Sequence, residues 1–117
     1  MTATTSTTRT ASTDLTVAHT IQEQLGGRMF AMMTGAKDFM GGDNFLQFSI
    51  PASRGKAPGK VNKCRVTLAG DDTYTVTFYY YNRRTFDCPV VCSESGIYAD
   101  VLADYFTEVT GLYTTLR

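Results

Sequence analysis

The chain has one histidine, no tryptophan, three cysteines and no net charge across 117 residues. The scarcity of histidine and cysteine and the lack of net charge each narrow the function. Cys88 and Cys92 are spaced CxxxC, not the CxxC of a zinc knuckle. His19 and the remaining Cys64 make no second ligand pair, so no structural zinc site is expected. Spacing alone leaves a Cys–His dyad open, but no flanking motif supports one. An odd cysteine count without framework spacing fits a reducing, cytoplasmic setting. Zero net charge points to neither a nucleic-acid nor a membrane partner in bulk. No apolar run approaches the ~20 residues of a membrane-spanning helix, and residues 2–14 are polar where a signal peptide would be apolar. Gly26-Gly27 and Gly41-Gly42 do not open helices with phosphate-loop spacing, and Thr34-Gly35-Ala36-Lys37 lacks that context. The expectation is a binding protein with no cofactor and no metal, not an enzyme.

What is present reads as one α+β domain over residues 14–117. It follows a Thr-rich arm, residues 1–13, with seven threonines and no large apolar residue beyond Met1. Such a segment buries too little to offset its ordering entropy, so it is expected to be disordered, or to order only against a partner. From Asp14 to Leu25, Val17, Ala18, Ile21 and Leu25 share one helical face, with Thr13 or Asp14 as cap and Gly26-Gly27 as stop. Arg28–Met33 predicts a short helix or turn packed on the core. Alternation predicts strands over 45–50, closed by Pro51, then 61–68 and 73–81, the last two joined as a hairpin through Ala69–Asp72. A further short edge strand is predicted over 86–92, with Cys88, Cys92, Phe86 and Val90 on one core-facing side. Ile97, Tyr98, Val101, Leu102, Tyr105, Phe106 and Val109 predict a last helix, capped by Ser93 or Ser95 and ended by Gly111. Sequential strands usually pair, so the expected architecture is an antiparallel meander of three to four strands with both terminal helices on one face.

The zero net charge hides a split. Residues 54–84 carry Arg54, Lys56, Lys60, Lys63, Arg65, Arg83 and Arg84 against Asp71 and Asp72. Residues 85–116 carry Asp87, Glu94, Asp100, Asp104 and Glu108 and no basic residue. If Tyr74, Val76, Phe78 and Tyr80 face the helices, the other sheet face shows Lys63, Arg65, Thr75, Thr77, Tyr79 and Tyr81. Cations for phosphates and rings for bases suit a single-stranded nucleic acid, with the 54–60 loop adding mobile positive charge. The alternative is plain packing, because Tyr and Thr favour strands and Lys and Arg protect an open face. A protein partner would use the same residues, or the acidic stripe Asp100, Asp104 and Glu108, which could meet a basic partner. That second class includes an inhibitor of a host defence enzyme and a virion or assembly component.

The run from Gln24-Leu25-Gly26-Gly27 through Met32-Met33-Thr34-Gly35-Ala36-Lys37-Asp38-Phe39, with Gly96-Ile97-Tyr98-Ala99-Asp100 and Thr110-Gly111-Leu112-Tyr113, resembles a set of small phage and prophage proteins. The resemblance covers about residues 16–116. It implies a phage-encoded accessory protein in the cytoplasm of a bacterial host and carries no site residues. The order of helix, strands and helix is also similar to that of the double-stranded-RNA-binding domain. That family grips phosphates with lysines at the start of its last helix, where this chain has Ser93-Glu94-Ser95-Gly96, so the likeness implies topology and not the same binding mode.

Overall fold

A computed structural model describes residues 15–112 and Thr114. The Thr-rich stretch and the expected caps Thr13 and Asp14 lie outside the described residues. Two helices, α1 (Thr16–Leu25) and α2 (Gly27–Thr34), precede strands β1 (Lys37–Gly41), β2 (Phe45–Ser53), β3 (Val61–Leu68), β4 (Tyr74–Tyr79) and β5 (Val90–Ile97). A 3₁₀ turn (Ala99–Val101) then leads into α3 (Leu102–Thr110). The strands form one antiparallel sheet in chain order. The α+β meander is therefore as expected, but with five strands in place of three to four.

Period-two alternation builds the core. Leu46, Phe48 and Ile50 of β2, Cys64 and Val66 of β3, and Tyr74, Val76 and Phe78 of β4 all point to one face. Ala18, Ile21 and Leu25 of α1, Phe30 of α2, and Leu102, Phe106 and Val109 of α3 cover that face. At the centre, the Phe30 ring lies edge-on to Phe48 and Phe106 with centroids 5.2 Å away in both pairs, and Phe78 approaches Phe106 at 6.1 Å. Each fully buried phenylalanine contributes about 1.5–3 kcal/mol of burial, and such ring pairs about 0.5–1.5 kcal/mol more. The Tyr74 hydroxyl donates to Gln24 Oε1, tying β4 to α1.

Helices α2 and α3 end by the same device, written twice as Phe-x-x-x-Thr-Gly. Thr34 and Thr110 each donate a hydroxyl to the carbonyl four residues back, on Phe30 and Phe106. Each hydroxyl then accepts the N–H two residues on. Gly35 and Gly111 follow in the left-handed conformation, where a Cβ is disfavoured.

Several expectations are corrected. Strand β1 was not foreseen; it is a short edge strand whose register shifts between Lys37 and Met40, with Asp38 at φ 57°, so it shows no clean alternation. Pro51 does not close β2, because a register shift between Ser49 and Ser53 accommodates a residue with no N–H to donate. The last strand runs over 90–97, not 86–92. Asn82 N–H donates to the Asp87 carbonyl (2.8 Å) and Phe86 N–H to the Asn82 carbonyl (2.7 Å), so residues 82–87 form a closed turn. Phe86, Cys88 and Val90 are exposed, and only Cys92 of that group packs on the core. Ser93 pairs with Thr77 inside β5, so it caps no helix, and Ile97 and Tyr98 precede the helical turns.

Candidate nucleic-acid interface

Strand register sets the face opposite the helices. One cross-strand row runs Lys37, Ser49, Lys63, Tyr79, Val90; the next runs Met40, Gln47, Arg65, Thr77, Ser93; a third holds Phe45, Thr67 and Thr75. Directly opposed side chains in such rows stand close enough to bond. Lys63 Nζ donates to Ser49 Oγ at 3.3 Å and lies 5.6 Å from the Tyr81 ring centre. Arg65 donates through Nε and Nη2 to Gln47 Oε1 at 3.0 and 2.8 Å, with its guanidinium 4.4 Å from the Phe45 ring centre. These partners are neutral. Both cations are therefore oriented without their charge being cancelled, which suits attraction of an anion.

Tyr81 lies past the end of β4 but is held as if still in the ladder. Asn62 Oδ1 accepts its N–H at 2.7 Å, and Asn62 Nδ2 donates to its carbonyl at 3.0 Å. Beside it, Lys37, Asp38, Ser49, Lys63, Tyr81 and Arg83 help line an open cavity of about 500 Å³. A second hollow of about 460 Å³ shares Asn62, Tyr81 and Arg83 and reaches Arg84. The predicted residues Lys63, Arg65, Tyr79, Tyr81, Arg83 and Arg84 thus meet on this side. Lys37, Phe45, Gln47 and Asn62 join them and were missed. Lys37 needed knowledge of β1, and the others needed the register.

Arg54 and Lys56 are placed differently, while Lys60 is exposed just before β3. The connection between β2 and β3 is fastened to the end of α3: Gly55 and Lys56 N–H groups donate to the Val109 and Glu108 carbonyls, both at 2.9 Å, and Ala57 N–H to Val109 at 3.3 Å. Arg54 Nε donates to the Ala57 carbonyl (3.1 Å), and Ala57 is buried. These bonds satisfy carbonyls that a helix end leaves unpaired. Residues 54–57 are thus a strap on the helix layer, where charge beside the open face was expected. Lys56 Nζ reaches Glu108 Oε2 at 3.1 Å, so a basic residue of one segment meets the acidic stripe of the other. Asp100 lies in the 3₁₀ turn, and Asp104 and Glu108 on α3, all exposed.

The cysteines and His19 do not converge on the open face. His19 is exposed on α1 and Cys88 in the 82–89 connection. Cys64 is sealed in the core, where burial pushes its thiol well above the usual range. Burial also raises Cys92, with the nearby Glu94 adding to it. Among the described residues, no group of three or more His, Cys, Asp or Glu side chains is placed to hold a metal ion, and no helix is long and apolar enough to cross a membrane. No family model, curated protein or solved structure matches the chain.

Proposed function

We propose that the chain is a non-catalytic accessory protein that binds single-stranded nucleic acid across the open face of its sheet. One observation carries this reading: Lys63 and Arg65, on adjacent positions of one strand face, are each aligned by a neutral hydrogen-bond partner and set against an aromatic ring. Phosphates would meet Lys37, Lys63, Arg65 and Arg83, while Tyr79, Tyr81 and Phe45 offer ring surface for bases. Phage encoding, which the sequence resemblance implies, is compatible with such a role.

Fluorescence anisotropy with labelled single- and double-stranded oligonucleotides tests it. The logarithm of the affinity is expected to fall with log salt by about 0.7 per phosphate contact on a single strand, so about 3 for four cations. Lys63→Ala with Arg65→Ala should remove a corresponding share. Absence of binding at ~50 mM salt, where phosphate contacts are strongest, would overturn the reading.

A protein partner is the second reading. Exposed Tyr98 and Val101 flank the exposed Asp100, a mixed apolar and acidic surface suited to a basic protein. Capture of such a partner that is lost in Asp100→Lys with Asp104→Lys, with no oligonucleotide binding, would favour it.

A further inference from the structure

The turn that follows Tyr81 presents an aromatic ring to solvent between charges. Phe86 is 76% exposed, the largest exposure of any aromatic residue described. Its φ is +62°, a region that bulky residues rarely adopt and that indicates strain. The ring is not on a loose tether. Asn82 closes the turn through its backbone to Asp87 and Phe86, and its Oδ1 accepts the Arg84 N–H at 2.8 Å. Arg83 and Arg84 are exposed on the same turn against the single acid Asp87. Both arginines line the second hollow, which shares Asn62, Tyr81 and Arg83 with the cavity of the open face, and Phe86 stands on the same turn outside both.

The closed turn sets the backbone of Phe86, but at this exposure core packing does not account for its ring. We propose that this turn is a stacking clamp: Phe86 stacks on one unpaired base, and Arg83 and Arg84 hold the phosphates on either side of it. The inference rests on the nucleic-acid reading above and adds a base-contacting element that strand alternation could not show. The two arginines on the same turn and the hollow they line favour a nucleic acid over a lipid or an apolar peptide as the occupant.

The test uses the full chain and a fluorescein-labelled twelve-residue oligothymidylate carrying one 2-aminopurine, with anisotropy and 2-aminopurine emission as readouts. Phe86→Ala is expected to weaken binding about ten-fold or more, in line with the usual worth of one stacked base, and to abolish the emission change. Phe86→Trp should retain both. Phe86→Gly is the decisive variant, because glycine adopts φ +62° without strain. It should fold at least as well as the parent, by thermal melting, yet bind as weakly as Phe86→Ala. The salt slope should stay unchanged in all Phe86 variants and fall in Arg83→Ala with Arg84→Ala. Parent-like affinity in Phe86→Gly would overturn the clamp while leaving the open-face reading intact. No binding by the parent chain would overturn both.

Discussion

Replacing Gly55 by alanine is expected to destabilise the fold by about 2–4 kcal/mol, more than any change to the charges around it. A Cβ at this position would stand 2.5 Å from the Glu108 carbonyl oxygen, 2.7 Å from the Gly111 nitrogen and 3.0 Å from the Val109 carbonyl oxygen. All three are backbone atoms, so no rotamer change relieves the clash. The strap must withdraw, and the N–H donors of Gly55, Lys56 and Ala57 then lose their acceptors together. At about 0.5–1.5 kcal/mol net for each bond, that loss alone accounts for most of the figure. The Lys56–Glu108 ion pair adds little, because its side chains are 77% and 52% exposed and such pairs are worth about 0–1 kcal/mol. Two controls isolate the cause. Gly70→Ala meets nothing among the described residues within 4 Å and should change stability by less than ~0.5 kcal/mol. Lys56→Ala should do the same while leaving the strap in place. Urea unfolding followed by far-ultraviolet circular dichroism reads the result; with a slope of about 1–3 kcal/mol per molar, the Gly55→Ala midpoint should drop by about 1–2 M. A midpoint equal to the parent's, or a larger loss in Lys56→Ala, would refute the account.

Other outcomes follow from the same geometry. Phe106 touches the rings of Phe30, Phe48 and Phe78, so Phe106→Ala should cost about 3–5 kcal/mol, checked by thermal melting. A thiol reagent should modify exposed Cys88 quickly, half-buried Cys92 more slowly, and buried Cys64 only on unfolding; rapid reaction of three thiols in the folded protein would contradict the core. Tyr105 is pushed up to about 12, first by burial and then by the Cys92 and Glu94 charges. Its folded-state value stands above the unfolded value near 10, so its contribution is complete below pH ~10 and is lost as pH rises through about 12. Tyr105→Phe should therefore flatten the stability loss across that alkaline window, measured by urea midpoints at pH 9 to 12. Asn62→Ala should free Tyr81 from its two backbone-directed bonds and weaken oligonucleotide binding several-fold with little change in salt slope, since no cation is removed.

Much of the fold was legible because half of each central strand faces a core. Leu46, Phe48, Cys64, Val66, Val76 and Phe78 alternate with polar neighbours, and that pattern has one reading. The edges obey weaker rules. Among the described residues β5 is paired on one side only, with Ser93, Glu94 and Ser95 exposed, so its polarity resembles the approach to a helix. Ile97 reaches the core from the strand, yet its spacing to Val101 and Tyr105 mimics a helical face. Conversely, Phe86, Cys88 and Val90 have the residue types of a buried strand but lie exposed. β1 has too few residues and too irregular a register to signal itself.

The same distinction decides the extent of the candidate site. Charge segregation along the chain groups Arg54, Lys56 and Lys60 with Lys63 and Arg65, but sequence distance is a poor guide to the side of the sheet a cation serves. Lys63 and Arg65 are on the open face because their strand parity is opposite to that of Cys64 and Val66, which the core requires. Arg54 and Lys56 have no such parity, and backbone bonds to α3 set their position. An exposed ion pair is too weak to hold the strap, so Lys56 follows the backbone and not Glu108. On this reading, the cations facing a nucleic acid come from β1, β3 and the 82–87 turn, a narrower and more aromatic surface than charge alone would draw. Removing Lys56 should then leave oligonucleotide affinity nearly unchanged, whereas removing Lys37, which lies outside the basic segment, should weaken it.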